Sequence, residues 1–238
     1  CYLLVNGGYF YNGNHTGIAV INSIKSGSVS AVRGSLKTSD TEYNSMYNVT
    51  RGTFGVDASG KPNVVWTGTD ASNNVFYFDR PLPSVKGENK YGIVTNENPT
   101  TAINWSPKYA LSAGPVLLKD KKIPFDFTET SKGTDYYLSN YEIIPYDIFG
   151  ANVTPDRTAI GYREDGKVVI FICDGRITAS GGATLTELAQ IMKGLGCVGA
   201  INLDGGGSTG MVVGDEHLND MTGGNRAVVS TIGFFKKN

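Results

Sequence analysis

The chain has 238 residues, 21 of them basic and 22 acidic, so its formal net charge is −1. This balance provides no overall field for nucleic acid or an anionic membrane surface, and any anion site has to be local. No run approaches the roughly 20 apolar residues of a membrane span, so no membrane span is expected.

The first half of the chain alternates short apolar runs with turn signals. The run YLLVNGGYF is interrupted at Asn6-Gly7-Gly8, and the pattern predicts a second strand from Gly17 to Ile24. Residues 55–66 contain Ala-Ser-Gly-Lys between two apolar runs, which predicts a hairpin, and residues 74–79 predict a further strand. Short strands separated by turns therefore dominate this half.

From Ala113 onward the alternation of apolar runs and turn residues is more regular. Residues 114–118 predict a strand followed by a turn at 119–122, and residues 157–163 and 167–174 predict a hairpin across Glu164-Asp165-Gly166. Residues 211–213 and 227–235 predict two last strands. Two segments, 84–108 and 126–152, are rich in Asn, Thr, Ser, Gly and Tyr without periodicity and are interpreted as long surface loops at a lid or rim.

One helix is predicted, over residues 184–193. Thr184 and Glu187 have the spacing of a capping box, and Gly194 and Gly196 are stop signals. A strand at 198–203 follows, so the segment from residue 167 onward predicts a β-α-β unit whose two strands run parallel in one sheet.

These elements predict the fold class. We expect an α/β mixed (α+β) protein, with residues 1–238 forming one strand-rich domain that has a mixed central sheet, one β-α-β unit and long surface loops. No repeat or low-complexity linker divides the chain.

Both strands of the β-α-β unit end in Asp-Gly, at Asp174 and Asp204. Ligands gather at the carboxyl ends of parallel strands, where these two residues would lie roughly 5 Å apart as neighbours, or about 10 Å apart with one strand between. Paired carboxylates serve glycoside cleavage, so both are candidate catalytic residues. The alternative is that each Asp-Gly is only a turn.

The second Asp-Gly continues into Gly205, Gly206, Gly207, Ser208 and Thr209. Three residues without Cβ leave backbone amides free to face an anion, and two hydroxyls add donors, so this loop is a candidate anion cradle. A flexible turn is the alternative.

Two arginines flank the same motifs. Arg157 precedes one strand and Arg176 follows Asp174 closely, and guanidinium groups match phosphate oxygens, although a single arginine is ordinarily a solvated surface residue. Residues Asn6, Gly7 and Gly8 are candidate substrate contacts or merely a tight turn.

The three cysteines are predicted to be unpaired, because Cys173 and Cys197 would lie about 20 Å apart along adjacent strands. With two separate histidines, a zinc site is not expected. No cofactor is expected, with an oxygen-ligated magnesium or calcium ion at Asp174 and Asp204 left open.

Several segments resemble one known family. They are NGGYF, SAGPVLLKDKK, PDRTAIGYREDGKVVIFICDGR, ATLTELAQIMKGLGCVGAINLDGGGSTGMVV and NRAVVSTIGFFKK. Together they are similar to the phosphodiester glycosidases, densely from about Ala113 to the C-terminus. Gly210 departs from the family, whose members often carry Ser or Thr there.

The resemblance implies hydrolysis of a sugar-1-phosphodiester at the sugar side, releasing free sugar and a phosphomonoester. Asp204 and Asp174 would be the carboxylates, Arg157 and Arg176 the phosphate clamps, and a phosphorylated glycan the partner. A secreted, periplasmic or cell-surface location is expected. A non-catalytic phosphoglycan-binding module and a metal-dependent phosphodiesterase are the alternatives.

Overall fold

The computed structural model describes residues 1–33, 39, 41, 44–87, 102–127, 136–137, 141–142, 153–220 and 226–236. The strands of this part of the chain are β1 (Leu3–Asn6), β2 (Phe10–Tyr11), β3 (Asn14–His15), β4 (Ile18–Ile21), β5 (Ile24–Gly27), β6 (Val32–Arg33), β7 (Met46–Asn48), β8 (Arg51–Asp57), β9 (Pro62–Thr69), β10 (Val75–Phe78), β11 (Val85–Lys86), β12 (Pro107–Ser112), β13 (Val116–Leu118), β14 (Phe125–Asp126), β15 (Tyr136–Tyr137), β16 (Arg157–Arg163), β17 (Val168–Cys173), β18 (Cys197–Asn202), β19 (Met211–Val213), β20 (Glu216–His217) and β21 (Thr231–Phe234). The helix of this part, α1, is Leu185–Gly194.

The sheet that carries both Asp-Gly motifs has four strands in the order β13-β18-β16-β17. Every neighbouring pair in it is antiparallel. Strands β17 and β18 therefore run parallel, as predicted, but β16 lies between them. The expected mixed sheet is wrong here, because β16 pairs with β17 across a short turn and with β18 on its other edge.

Helix α1 covers one face of this sheet. Its N-cap is Thr184, whose side chain accepts from the Glu187 amide while the Glu187 carboxylate accepts from Thr184, so the predicted capping box is confirmed. The apolar stripe of Leu185, Leu188 and Met192 is buried against β13, β16 and β18. No helix of the described residues is long and apolar enough to cross a membrane.

The opposite face of the sheet packs on a second sheet of six strands, ordered β10-β9-β8-β12-β4-β5. Their shared core is continuous with the helix contact and includes Trp66, Leu117, Leu118, Ile160, Leu188 and Ile201. The main architecture is thus helix, sheet and sheet, and the strand-rich prediction is confirmed.

A third sheet joins distant parts of the chain, in the order β20-β19-β1-β21. Strand β1 pairs with β19 on one edge and with β21 on the other, both antiparallel. The Asn6 amide at its end donates to the Gly210 carbonyl over 3.1 Å. The NGG motif is thereby held against the segment that follows Asp204.

Several strand limits differ from the prediction. The strand predicted from Gly17 to Ile24 is two strands, because Asn22 and Ser23 form a turn with φ of 50° and 65°, the conformation that a tight two-residue hairpin requires. The last strand covers only β21. Most of the two predicted long loops lies outside the described residues.

All three cysteines are free, as predicted. In the strand register Cys173 lies opposite Arg157 and Cys197 opposite Arg163, at the two ends of β16. This separation along one strand is about 20 Å and excludes a disulfide.

Candidate active site

The ends of three strands, β1, β16 and β18, lie close together. Because β16 is antiparallel to β18, the start of β16 at Arg157 lies beside the end of β18 at Asn202. The Asp204 amide donates to the Gly7 carbonyl over 3.0 Å, which adds the end of β1. Residues nearly 200 positions apart in sequence therefore surround one point.

A cavity of about 1110 Å³ opens at this point. Among the described residues that line it are five arginines and a single carboxylate, that of Asp204; the arginines are Arg33, Arg51, Arg157, Arg176 and Arg226. Since the whole chain has a net charge of −1, this excess of cations is local. A cavity of this charge favours an anionic ligand.

Asp204 is the acidic group of the cavity. Its Oδ1 atom accepts from the Gly205 amide over 2.9 Å. Burial raises the pKa of Asp204, and the Ser208 hydroxyl, the Gly205 amide and the charge of Arg226 oppose this only in part. A carboxylate with a raised pKa is a stronger proton acceptor and is suited to acid-base chemistry.

Arg157 is a buried cation of the cavity wall, only 1% exposed. Its Nε donates to the Ala183 carbonyl over 2.8 Å and its Nη2 to the Val153 carbonyl over 3.1 Å. No carboxylate of the described residues forms an ion pair with it. Burial lowers the pKa of Arg157, so a bound anion would relieve an unbalanced charge.

Arg176 is the more exposed of the two predicted phosphate clamps. Its Nη2 lies 2.8 Å from Oδ2 of Asp156, a residue with 1% of its side chain exposed. The buried carboxylate fixes the guanidinium at the cavity wall and leaves part of its fork free. Arg157 and Arg176 are therefore both at the cavity, as the sequence predicted.

Gly205, Gly206 and Gly207 all line the cavity, but most of their amides are already used within the protein. The Gly205 amide donates to Asp204 and the Gly206 amide to the Asp156 carbonyl, so two of the three amides already have protein acceptors. Only Gly207 has an amide without an acceptor in the described part of the chain. Ser208 and Thr209 are 2% and 1% exposed and lie outside the lining.

Glycine is required in this loop for close packing. A Cβ on Gly205 would lie 2.6 Å from the Asp156 carbonyl oxygen, and Gly206 has a φ of +57°. The absent side chains bring the loop against the start of β16, which holds Asp204 in place.

The motif at the end of β1 also has a supporting role in the structure. Asn6 is 4% exposed, its Nδ2 donates to the Asp204 carbonyl over 2.7 Å, and its Oδ1 accepts from Thr158 and Gly210. Asn6, Gly7 and Gly8 do not line the cavity. A Cβ on Gly7 would collide with Ser230 and one on Gly8 with the Ser112 carbonyl. In the structure this motif supports the backbone of Asp204, and a substrate contact by these residues stays a prediction.

Replacing Asn6 with Ala should reduce turnover about 10- to 100-fold with a small change in KM, because the backbone of Asp204 loses its anchor. Steady-state kinetics on a sugar-1-phosphodiester, the substrate class that the sequence resemblance implies, would measure this. The matched control is Asn63→Ala in the distant β8-β9 hairpin, where Asn63 only accepts from the next amide. Equal kcat values for the two variants would refute the positioning role.

Asp174 does not line the cavity. Its Oδ2 accepts from the Asp220 amide over 3.2 Å, and β16 separates its strand from that of Asp204. The structure therefore does not bring the two aspartates into one lining. No group of three or more His, Cys, Asp or Glu side chains that could hold a metal ion occurs in the described residues.

Sequence reasoning missed Tyr9, Asn202 and Arg51 as lining residues. The Tyr9 hydroxyl donates to the Gly114 carbonyl over 2.8 Å and accepts from Nδ2 of Asn202 over 2.7 Å. Burial, and next the charge of Asp204, raise the pKa of Tyr9. Asn202 carried a detectable signal, since it is a polar residue in an otherwise apolar strand; Arg51 carried none.

The fold and the cavity define a strand-rich protein with a cationic site at the meeting point of its sheets. The family model of the phosphodiester glycosidases matches residues 1–235, and the chain belongs to that family.

Individual relatives match shorter stretches. The SPbeta prophage-derived protein YomE of Bacillus subtilis (strain 168) is 42% identical over 82 residues, which is 34% of this chain and 13% of that protein. The human N-acetylglucosamine-1-phosphodiester alpha-N-acetylglucosaminidase is 45% identical over 62 residues, which is 26% of this chain and 12% of that protein. The matched stretches thus span a small part of both relatives.

One solved structure shows the same fold. It is the zebrafish N-acetylglucosamine-1-phosphodiester alpha-N-acetylglucosaminidase catalytic domain, auto-inhibited by its pro-peptide. The TM-score is 0.56 at 20% identity, and the match covers 93% of this chain and 56% of that chain.

Proposed function

We propose that the protein is a hydrolase that cleaves a sugar-1-phosphodiester of the GlcNAc-1-phosphate type at the glycosidic bond. The products are free sugar and a phosphomonoester. The observation that carries this proposal is the cavity lining, in which five arginines face one carboxylate. Membership of the phosphodiester glycosidase family supports the same reaction.

Arg157 and Arg176 act on the leaving group. In the transition state the bridging oxygen leaves the anomeric carbon with its electron pair and remains on phosphorus, so negative charge develops on the phosphate. Arg157, which has no carboxylate partner in the described chain, and Arg176, fixed by Asp156, stabilise that charge. A phosphate stabilised in this way needs no separate proton donor.

Asp204 acts on the water. It accepts one proton as the water oxygen bonds to the anomeric carbon, and passes that proton to solvent after the sugar leaves. Its raised pKa makes it a better base than an ordinary aspartate. One carboxylate in the cavity is sufficient for this step, and a catalytic role for Asp174 stays a prediction from the sequence. A location outside the cytoplasm likewise stays a prediction.

Product analysis tests the reaction. The protein is incubated with GlcNAc-1-phosphomethyl ester, with and without a chelator, and the products are separated and identified. We expect free GlcNAc and methyl phosphate under both conditions. GlcNAc-1-phosphate and methanol, formed only without chelator, would instead show a metal-dependent phosphodiesterase. Tight binding without turnover across a panel of sugar phosphodiesters would show a binding module.

A further inference from the structure

Arg51 is a second buried arginine at the cavity, and it comes from a different sheet than Arg157. It begins strand β8 of the six-stranded sheet, whereas Arg157 begins β16 of the four-stranded sheet. Arg51 is 5% exposed and lines the same cavity. The two buried cations therefore reach the cavity from two separate walls.

The guanidinium of Arg51 is only partly used by the protein. Its Nη1 donates to the Glu142 backbone carbonyl over 3.1 Å, and its Nε has no acceptor among the described residues. Burial lowers the pKa of Arg51, and the charge of Glu142 opposes this. This buried guanidinium therefore keeps donor capacity that the described part of the chain does not use.

The nearby carboxylate does not take up those donors. The Glu142 side chain accepts from the Gly52 amide over 3.1 Å, the Val116 amide over 3.0 Å and Trp66 Nε1 over 2.5 Å. No direct ion pair between Arg51 and a carboxylate occurs in the described part of the chain. Glu142 holds the backbone beside Arg51 and leaves the guanidinium facing the cavity.

Tyr9 connects the two walls. Its hydroxyl bonds to Asn202 on the Asp204 side and to Gly114 on the other, and the residue before Gly114 donates to the Gly52 carbonyl over 2.8 Å. Arg157 and Arg51 both line the cavity together with Tyr9. The two buried cations therefore belong to one cavity.

We propose that Arg51 forms a second anion subsite, which takes a further phosphate group carried by the leaving side of the substrate. The inference rests on the proposed function. One phosphodiester bears one negative charge, which Arg157 and Arg176 already match, whereas a leaving group with a second phosphate gives Arg51 its partner. The substrate class is a sugar-1-phosphodiester whose leaving group bears another phosphate.

Two substrates that differ only in that phosphate test the subsite. They are GlcNAc-1-phosphoglycerol and GlcNAc-1-phosphoglycerol-3-phosphate. UDP-GlcNAc is a third substrate, in which the second phosphate is bonded directly to the sugar phosphate. Hydrogen bonds to charged groups predict a KM about 10- to 100-fold lower for the substrate with the second phosphate, with similar kcat. Arg51→Gln should remove most of that difference.

Binding separates this proposal from the proposed function. Calorimetry with orthophosphate and pyrophosphate should show that the unaltered protein binds pyrophosphate more tightly. Arg51→Gln should lose this preference and Arg51→Lys should keep part of it. If the glutamine variant does not fold, the lysine variant provides the test. Arg163→Gln, outside the cavity lining, is the matched control. If the unaltered protein prefers pyrophosphate but hydrolyses no substrate, the proposed hydrolase function is refuted and the anion subsite is supported.

Three results would overturn the subsite. One is equal KM for the two glycerol substrates in the unaltered protein. Another is that Arg51→Gln lowers the affinity for orthophosphate and for pyrophosphate by the same factor. Arg51 would then bind the same single phosphate as Arg157. The third is a variant with an unchanged pyrophosphate preference.

Discussion

Replacing Asp204 with Asn is expected to lower kcat for sugar release about 10²- to 10⁴-fold, because the cavity loses its proton acceptor. Asparagine keeps an oxygen that can accept from the Gly205 amide, so the loop should hold its shape. Release of free sugar by the purified variant, compared with the unaltered protein, measures the effect.

The same variant should not be less stable at neutral pH. The pKa of Asp204 is raised in the folded state, so folding favours the protonated form and the ionised form opposes folding once the pH exceeds the unfolded pKa. The neutral amide of the Asp204→Asn variant would remove that opposition. The control is Asp215→Asn, an exposed residue in the turn between β19 and β20. Sugar release at the control's rate would exclude Asp204 from the mechanism.

The second large effect concerns Glu142, which is fully buried and accepts three hydrogen bonds. Burial raises the pKa of Glu142 to about 7, against the lowering effect of its amide donors and Arg51. A raised folded pKa stabilises the protein fully below the unfolded pKa and loses that contribution as the pH rises through about 7. The total loss is about 3 kcal/mol.

Glu142→Gln should therefore flatten the pH dependence of the free energy of unfolding between about pH 5 and 8. Because its amide would face one of the N–H donors, the variant should also be about 1–3 kcal/mol less stable than the unaltered protein at low pH, where Glu142 is protonated in both the folded and the unfolded state. Urea unfolding at several pH values measures both effects. Glu164→Gln, an exposed partner of Lys121, is the matched control. Parallel curves for the unaltered protein and Glu142→Gln would contradict the buried titration.

The elements were largely predictable where their signals are local. The capping box of α1, the β16-β17 hairpin and the β8-β9 hairpin each depend on residues a few positions apart, and all three appear in the structure. The sequence left open whether a strand lies between β17 and β18, because that depends on pairing across the helix, and in the structure β16 lies there. That pairing turned the expected mixed sheet into an antiparallel one.

The candidate site shows the same division. Asp204, Arg157 and Arg176 lie at strand ends in recognisable motifs, and all three line the cavity. Arg51 and Glu142 are 91 residues apart in sequence, and only the fold joins them. The glycines at 7, 8 and 205 were ambiguous, since a missing Cβ serves ligand access and close backbone packing equally well in a sequence. The structure has close packing at all three, and Gly205 also lines the cavity.

Hydrolysis in water enriched in ¹⁸O tests most directly whether the cationic cavity directs cleavage to the glycosidic bond. The account predicts that mass spectrometry finds the label in the hydroxyl on the anomeric carbon of the released sugar and none in the phosphomonoester. Label in the phosphate, with none in the sugar, would mean that water attacks phosphorus and would contradict the roles assigned to Asp204 and Arg157.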